Sequence, residues 1–159
     1  MKGFLSPPFT SDSFMATQRI FKVVYKVLFL CVHNAGRSHL ASALFNVLVA
    51  NKGLRFISDS GGTSPIDQIH PNVVSVMNEI GINISDSIPK IVTQSDYDSA
   101  DKLITMGCDI DEDECPLHLR NDIEDWGIDD PKGLSIELTR NIRDQIHTKV
   151  DELINDILD

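Results

Sequence analysis

The run VLFLC at residues 27–31, followed at once by the loop VHNAGRS at residues 32–38, constrains this chain more than any other stretch. An unbroken apolar run without polar alternation is the pattern of a parallel strand buried on both faces. It stops at a cysteine, and a glycine-containing loop closes on Arg37 and Ser38. Beyond them Leu40, Ala41, Leu44, Phe45, Leu48 and Val49 recur at helical spacing, so Ser38 is expected to cap a helix running to about Asn51. Where a strand, a short loop and a helix N-terminus meet, backbone N–H groups and the helix dipole attract a tetrahedral oxyanion. The same field favours a thiolate at Cys31. Arg37, placed to fork onto two oxygens of one anion, adds what a lysine's point charge does less specifically. The reading is therefore a nucleophile, Cys31, inside an oxyanion cradle made by Val32, His33, Asn34, Ala35, Gly36 and Arg37.

The rest of the chain alternates strand and helix patterns. A first strand is expected over residues 23–32, a second over 56–60, and the loop GGTSP follows at 61–65 with glycines that permit close backbone approach. His70-Pro71 opens a helix that turns Val73, Val74, Met77 and Ile80 inward and ends at Gly81. A short helix is expected around residues 86–91 and a third strand over 102–107, ending at Cys108. Residues 135–158 form a long amphipathic helix through Ile136, Leu138, Ile142, Ile146, Val150, Leu153, Ile154 and Ile157. This order predicts an α/β fold with an open parallel sheet flanked by helices, whose ligands bind beyond the carboxyl ends of the strands. Cys31 and Cys108 both fall on that edge. The segment before residue 22, with Pro7-Pro8 among Ser and Thr and no periodicity, reads as a flexible leader (1–21) ahead of a single domain (22–159).

Composition narrows the partners. With 14 basic and 24 acidic residues the formal charge is −10, which argues against a general nucleic-acid or anionic-membrane surface, so attraction for an anion must be local. Three cysteines are odd in number and too few for a disulfide scaffold, and the expectation is a reducing cytoplasm. The longest apolar run is far short of the roughly 20 residues a membrane span requires. Asp109, Asp111 and Asp113 have the alternation that opens a calcium loop, but Glu114 and Arg120 occupy the positions that need glycine and a bidentate acid, so no metal site is expected. His33, His39 and His70 are read as side chains that pack or face solvent, and Trp126 as core.

The motifs CVHNAGRSHLA at 31–41, SGGTSP at 60–65, HPNVVSVMNEIGINIS at 70–85, ITMGCDIDEDECP at 104–116 and DWGIDDPKG at 125–133 together resemble the low-molecular-weight phosphatase superfamily, in its arsenate reductase branch. The likeness runs from about Lys22 to the C-terminus. It implies three layers, with four parallel strands between helices. It also implies roles: Cys31 attacks, Arg37 and the loop amides hold equatorial oxygens, Ser38 hydrogen-bonds the thiolate, Asn34 steadies the loop, and Asp130, before Pro131, is the general acid. The acidic helix residue that some reductases use for potassium is Ser42 here, so that cation is not expected.

The resemblance further implies a redox relay. Cys108 and Cys115 match the spacing of the resolving pair in the thioredoxin-coupled reductases, in which the first attacks the Cys31–arsenic adduct, the second attacks the first, and thioredoxin reduces the resulting disulfide. No bound cofactor is implied, only an external thiol reductant. CVHNAGR also resembles enzymes that join arsenate to a low-molecular-weight thiol and use only the first cysteine; a small thiol or its glutaredoxin-type partner then replaces thioredoxin. The other alternative is a protein tyrosine phosphatase working through a phosphocysteine. Against it, Lys132-Gly133 stands where the phosphatases commonly carry pocket tyrosines, and Gly36 where many have a second cysteine.

Overall fold

The computed structural model describes residues 24–107 and 123–159, so the expected leader and the cysteines at 108 and 115 lie outside the described residues. Four strands, β1 (Tyr25–Cys31), β2 (Phe56–Gly62), β3 (Lys102–Thr105) and β4 (Ile123–Asp125), pair parallel throughout in the order β2-β1-β3-β4. The helices are α1 (Arg37–Asn51), α2 (Pro71–Asn78), α3 (Gln94–Ser99) and α4 (Ile136–Leu158). The expected architecture is thus the observed one. β4, absent from the local reading of the residues and expected only through the resemblance, is three residues long with one half-buried side chain, Ile123.

β1 is central, and its unbroken apolar pattern is explained by burial on both faces. Val27, Phe29 and Cys31 face the larger core with α1, α2 and α4; Leu28 and Leu30 face the smaller one with Tyr97, Ala100 and Leu103. Phe29 anchors the larger core, its ring centroid 5.9 Å from Phe45 and 5.6 Å from Trp126. The chain moves from β1 outward to β2 and then crosses back to β3. The switch point therefore lies beside the carboxyl end of β1, where open α/β sheets bind ligands.

Several local expectations change. Ser38 does not cap α1: the helix starts at Arg37 with Gly36 in the cap position and no side-chain cap bond, which frees the Ser38 hydroxyl for the site. Ile80 lies beyond the end of α2 and is exposed, and Val76 fills the core instead. Residues 86–91 form no helix; Ile91 makes an isolated bridge to Gly62, and the short helix lies at α3, where Thr93 and Asp96 form a reciprocal capping box. In α4 the cap is Ser135, Thr139 is buried and Leu138 points out. α1 ends at Asn51, as expected, and Gly53 just beyond it takes φ 68°.

Candidate functional site

The cradle's shape is set from outside it. Val32 O accepts from Ser64 N (2.8 Å), His33 O from Ile66 N (3.2 Å), Ala35 O from His70 N (2.9 Å) and Gly36 O from Leu40 N (2.9 Å). In a planar trans peptide the N–H points opposite the C=O. Anchoring these carbonyls to the scaffold therefore turns the amides of His33, Asn34, Gly36 and Arg37 the other way, toward the space over Cys31. The first amides of α1, which have no partner within their own helix, open on the same side. Asn34 accepts the turn this demands, at φ 50°.

Close approach of β2 makes the arrangement possible. A Cβ at Gly62 would lie 2.5 Å from Val32 O and 3.0 Å from Asn34, so only glycine lets the strand end lie against the loop. From the same neighbourhood the Lys90 backbone N–H donates to Asn34 Oδ1 (2.9 Å), Asn34 Nδ2 donates to Ser38 Oγ (2.7 Å), and Ser38 Oγ lies 2.9 Å from Cys31 Sγ. A backbone N–H can only donate, which orients the Asn34 amide with its NH₂ toward Ser38. With one lone pair of Ser38 so occupied, its hydroxyl proton is available to the cysteine sulfur. All three side chains are buried.

Arg37 is 6% exposed, and its Nη1 donates to Met106 O (3.1 Å) and Ile128 O (2.6 Å). The guanidinium is thereby held between the end of β3 and the turn after β4. Asp130 reaches the mouth on a tight turn: its Oδ1 accepts from Lys132 N (3.0 Å), and Leu134 N donates to Pro131 O (3.0 Å). Pro131 is buried close to Gly36, where an added Cβ would meet its Cγ at 2.8 Å.

Cys31, His33, Ala35, Gly36, Arg37, His70 and Asp130 line one small cavity. The structure thus brings together the sequence-predicted Cys31, Asn34, Arg37, Ser38 and Asp130 with the backbone of Val32, His33, Ala35 and Gly36. Cys108 and Cys115 lie outside the described residues. Sequence reasoning missed His70, Lys90 and Pro131 as parts of the site, and read Gly62 only as permitting close backbone approach without naming what it meets. The signal for His70 was its position before a helix-opening proline, which places its amide on the loop; Lys90 acts through its backbone and left none. Ser42, at the position considered for a cation, bonds to Ser58 across the α1–β2 contact (2.9 Å). His39, on the far side of the loop, is held at about 4 by burial, opposed by Asp59.

A cysteine at the end of the central strand, cradled by anchored loop amides, a buried arginine and an opposing aspartate, defines a class of enzyme that attacks tetrahedral oxyanions through sulfur. The chain belongs to the low molecular weight phosphotyrosine protein phosphatase family, whose pattern matches residues 26–159. Within it, a Halobacterium salinarum protein provisionally named an arsenate reductase is 37% identical over 133 residues, spanning 80% of this chain and 89% of that one. The glutaredoxin arsenate reductase of a Synechocystis species is 31% identical over 131 residues (81% and 95%). Among solved structures, a thioredoxin-dependent arsenate reductase of Corynebacterium glutamicum superposes with TM-score 0.68 at 36% identity (90% of this chain, 66% of that one). An arsenate reductase in a phosphate-binding state gives TM-score 0.71 at 30% identity (84% and 98%). No helix among the described residues is long and apolar enough to cross a membrane.

Proposed function

We propose that this protein reduces arsenate to arsenite, with Cys31 as the nucleophile and a thiol as the source of electrons. The observation that carries the reading is the rim of the cradle. It is lined by His33, His70 and Asp130, and the turn after Asp130 continues as Pro131, Lys132 and Gly133, so among the described residues no phenyl platform lines it on which a phosphotyrosine ring would stack. What remains is a small cavity lined by anion-binding and titratable groups. The relatives named above support the same choice.

In this reaction the arsenate oxygens occupy the ring of loop amides and Arg37. Ser38 donates to the Cys31 sulfur, and that sulfur displaces one oxygen, which Asp130 protonates. A second thiol then attacks Cys31, and arsenite departs. Cys108 and Cys115 are proposed as the resolving pair, with thioredoxin as their reductant, which suits a reducing cytoplasm; a small thiol with a glutaredoxin-type partner is the alternative route.

The deciding experiment couples the purified protein to NADPH oxidation in the presence of arsenate, with either thioredoxin and its reductase or a glutathione–glutaredoxin system. Aryl phosphate hydrolysis is measured alongside. Arsenate-dependent turnover is expected in one coupled system and is expected to vanish in Cys31→Ser. Loss of thioredoxin-driven turnover in Cys108→Ser and Cys115→Ser would support the relay, and full activity of both would assign the small-thiol route. Aryl phosphate hydrolysis without arsenate reduction would overturn the proposal.

A further inference from the structure

His70 stands over the cradle and has no part in the chemistry given so far. Its place is built rather than incidental. Its amide donates to Ala35 O, its carbonyl accepts from Val73 N (3.0 Å) and Val74 N (3.2 Å), and Pro71 fixes the start of α2 directly behind it. Its Cδ2 lies 3.4 Å from the point where a side chain on Gly36 would begin, and the ring shares the cavity with Cys31, Arg37 and Asp130. The titratable and charged groups facing it are Asp130 and Lys132 from the turn after β4, His33, Cys31 and Arg37 from the loop.

Partial burial holds His70 below the ordinary histidine value; Asp130 opposes this, while Lys132 and His33 reinforce it. The ring is therefore neutral at neutral pH, and its affinity for a proton depends on the charge at Asp130.

We propose that His70 is the general base for the thiol that completes the cycle, supported by the Asp130 carboxylate that shares its cavity; this rests on the arsenate reductase reading. As the Cys31 sulfur bonds to arsenic, the As–O bond breaks and that oxygen leaves as water, with a proton that Asp130 relays to it from the bound hydrogen arsenate. The Asp130 carboxylate raises the proton affinity of the neighbouring imidazole. The attacking thiol passes its proton to His70, and its sulfur bonds to the Cys31 sulfur. The Cys31–arsenic bonding pair stays on arsenic, which falls from As(V) to As(III) while two thiols become one disulfide. The departing arsenite oxyanion takes the thiol's proton from His70 and its remaining protons from water, which leaves the imidazole neutral again.

The first test is the imidazole titration of His70, followed by NMR in the intact protein: its midpoint is expected to move to lower pH in Asp130→Asn. An unmoved midpoint would overturn the coupling, whatever the protein's substrate. The second is the pH profile of thiol-driven arsenate turnover in His70→Gln. At pH 7 kcat is expected to fall by at least about tenfold, with KM for arsenate within roughly twofold, and the defect is expected to close near pH 9, where the thiol ionises unaided. A defect of constant size across pH would mark a merely structural role and overturn the proposal. A wild-type chain that reduces no arsenate would overturn the reaction and this step together, while the titration would still report whether the two side chains are coupled.

Discussion

At position 36 the absence of a side chain sets the distance between the cradle and the turn that carries Asp130. The nearest atom to an added Cβ belongs to the rigid ring of Pro131, so relief requires moving the turn rather than rotating a side chain. Gly36→Ala is therefore expected to displace Asp130 while leaving the loop amides in place. Turnover should fall about tenfold with sulfate affinity by calorimetry changed less than threefold; a large loss of sulfate binding would show that the cradle itself had been distorted. Cys31, Arg37, Ser38 and Asn34 were legible in the sequence because they lie within eight residues of one another and because each residue type has a chemical reason to be there. The glycines at 61–62 were legible as permitting close backbone approach, though not that the loop at 32–34 is what Gly62 meets, and Lys90 was not legible at all. Lys90 contributes only a backbone N–H, which leaves no local pattern.

Among the elements, those with a long period were the easiest to read. β1 and α4 bury enough side chains for the pattern to survive single exceptions, whereas the residue expectations at Leu138 and Ile80 failed where a helix end shifts the face that meets the core. The short helix was expected too early, around residues 86–91; Ile88 and Ile91 there are both exposed, and the Thr93–Asp96 capping box marks the true start. β4 escaped local reading because three residues are too few to show alternation. Ile146 of α4 is fully buried in the core shared with α1 and α2. Ile146→Ala is expected to cost about 3 kcal/mol in urea unfolding, from lost burial and the cavity left behind. A cost under about 1 kcal/mol would mean that α4 repacks freely.

For the molecule as a whole, pH acts through a half-buried ring, His39. His39 is held at about 4 in the folded chain, against about 6.5 when exposed, chiefly by burial. Its folded value is depressed, so the unfolded chain binds the proton first: the contribution is fully present above about 6.5 and is lost as pH falls toward 4. Between pH 7 and pH 5 the folded state should lose about 1–2 kcal/mol from this group, measurable by denaturant titration, and His39→Gln should flatten that slope. An unchanged slope would remove His39 from the acid limb. The scaffold-anchored carbonyls of the cradle carry a different consequence. A ring of amides held in shape by its neighbours binds without first being ordered, and it presents the same geometry to every anion with four oxygens around one centre. On the proposed reading, arsenate and phosphate are therefore competitors for one seat. The choice between them falls after binding, on which central atom can accept two electrons from sulfur.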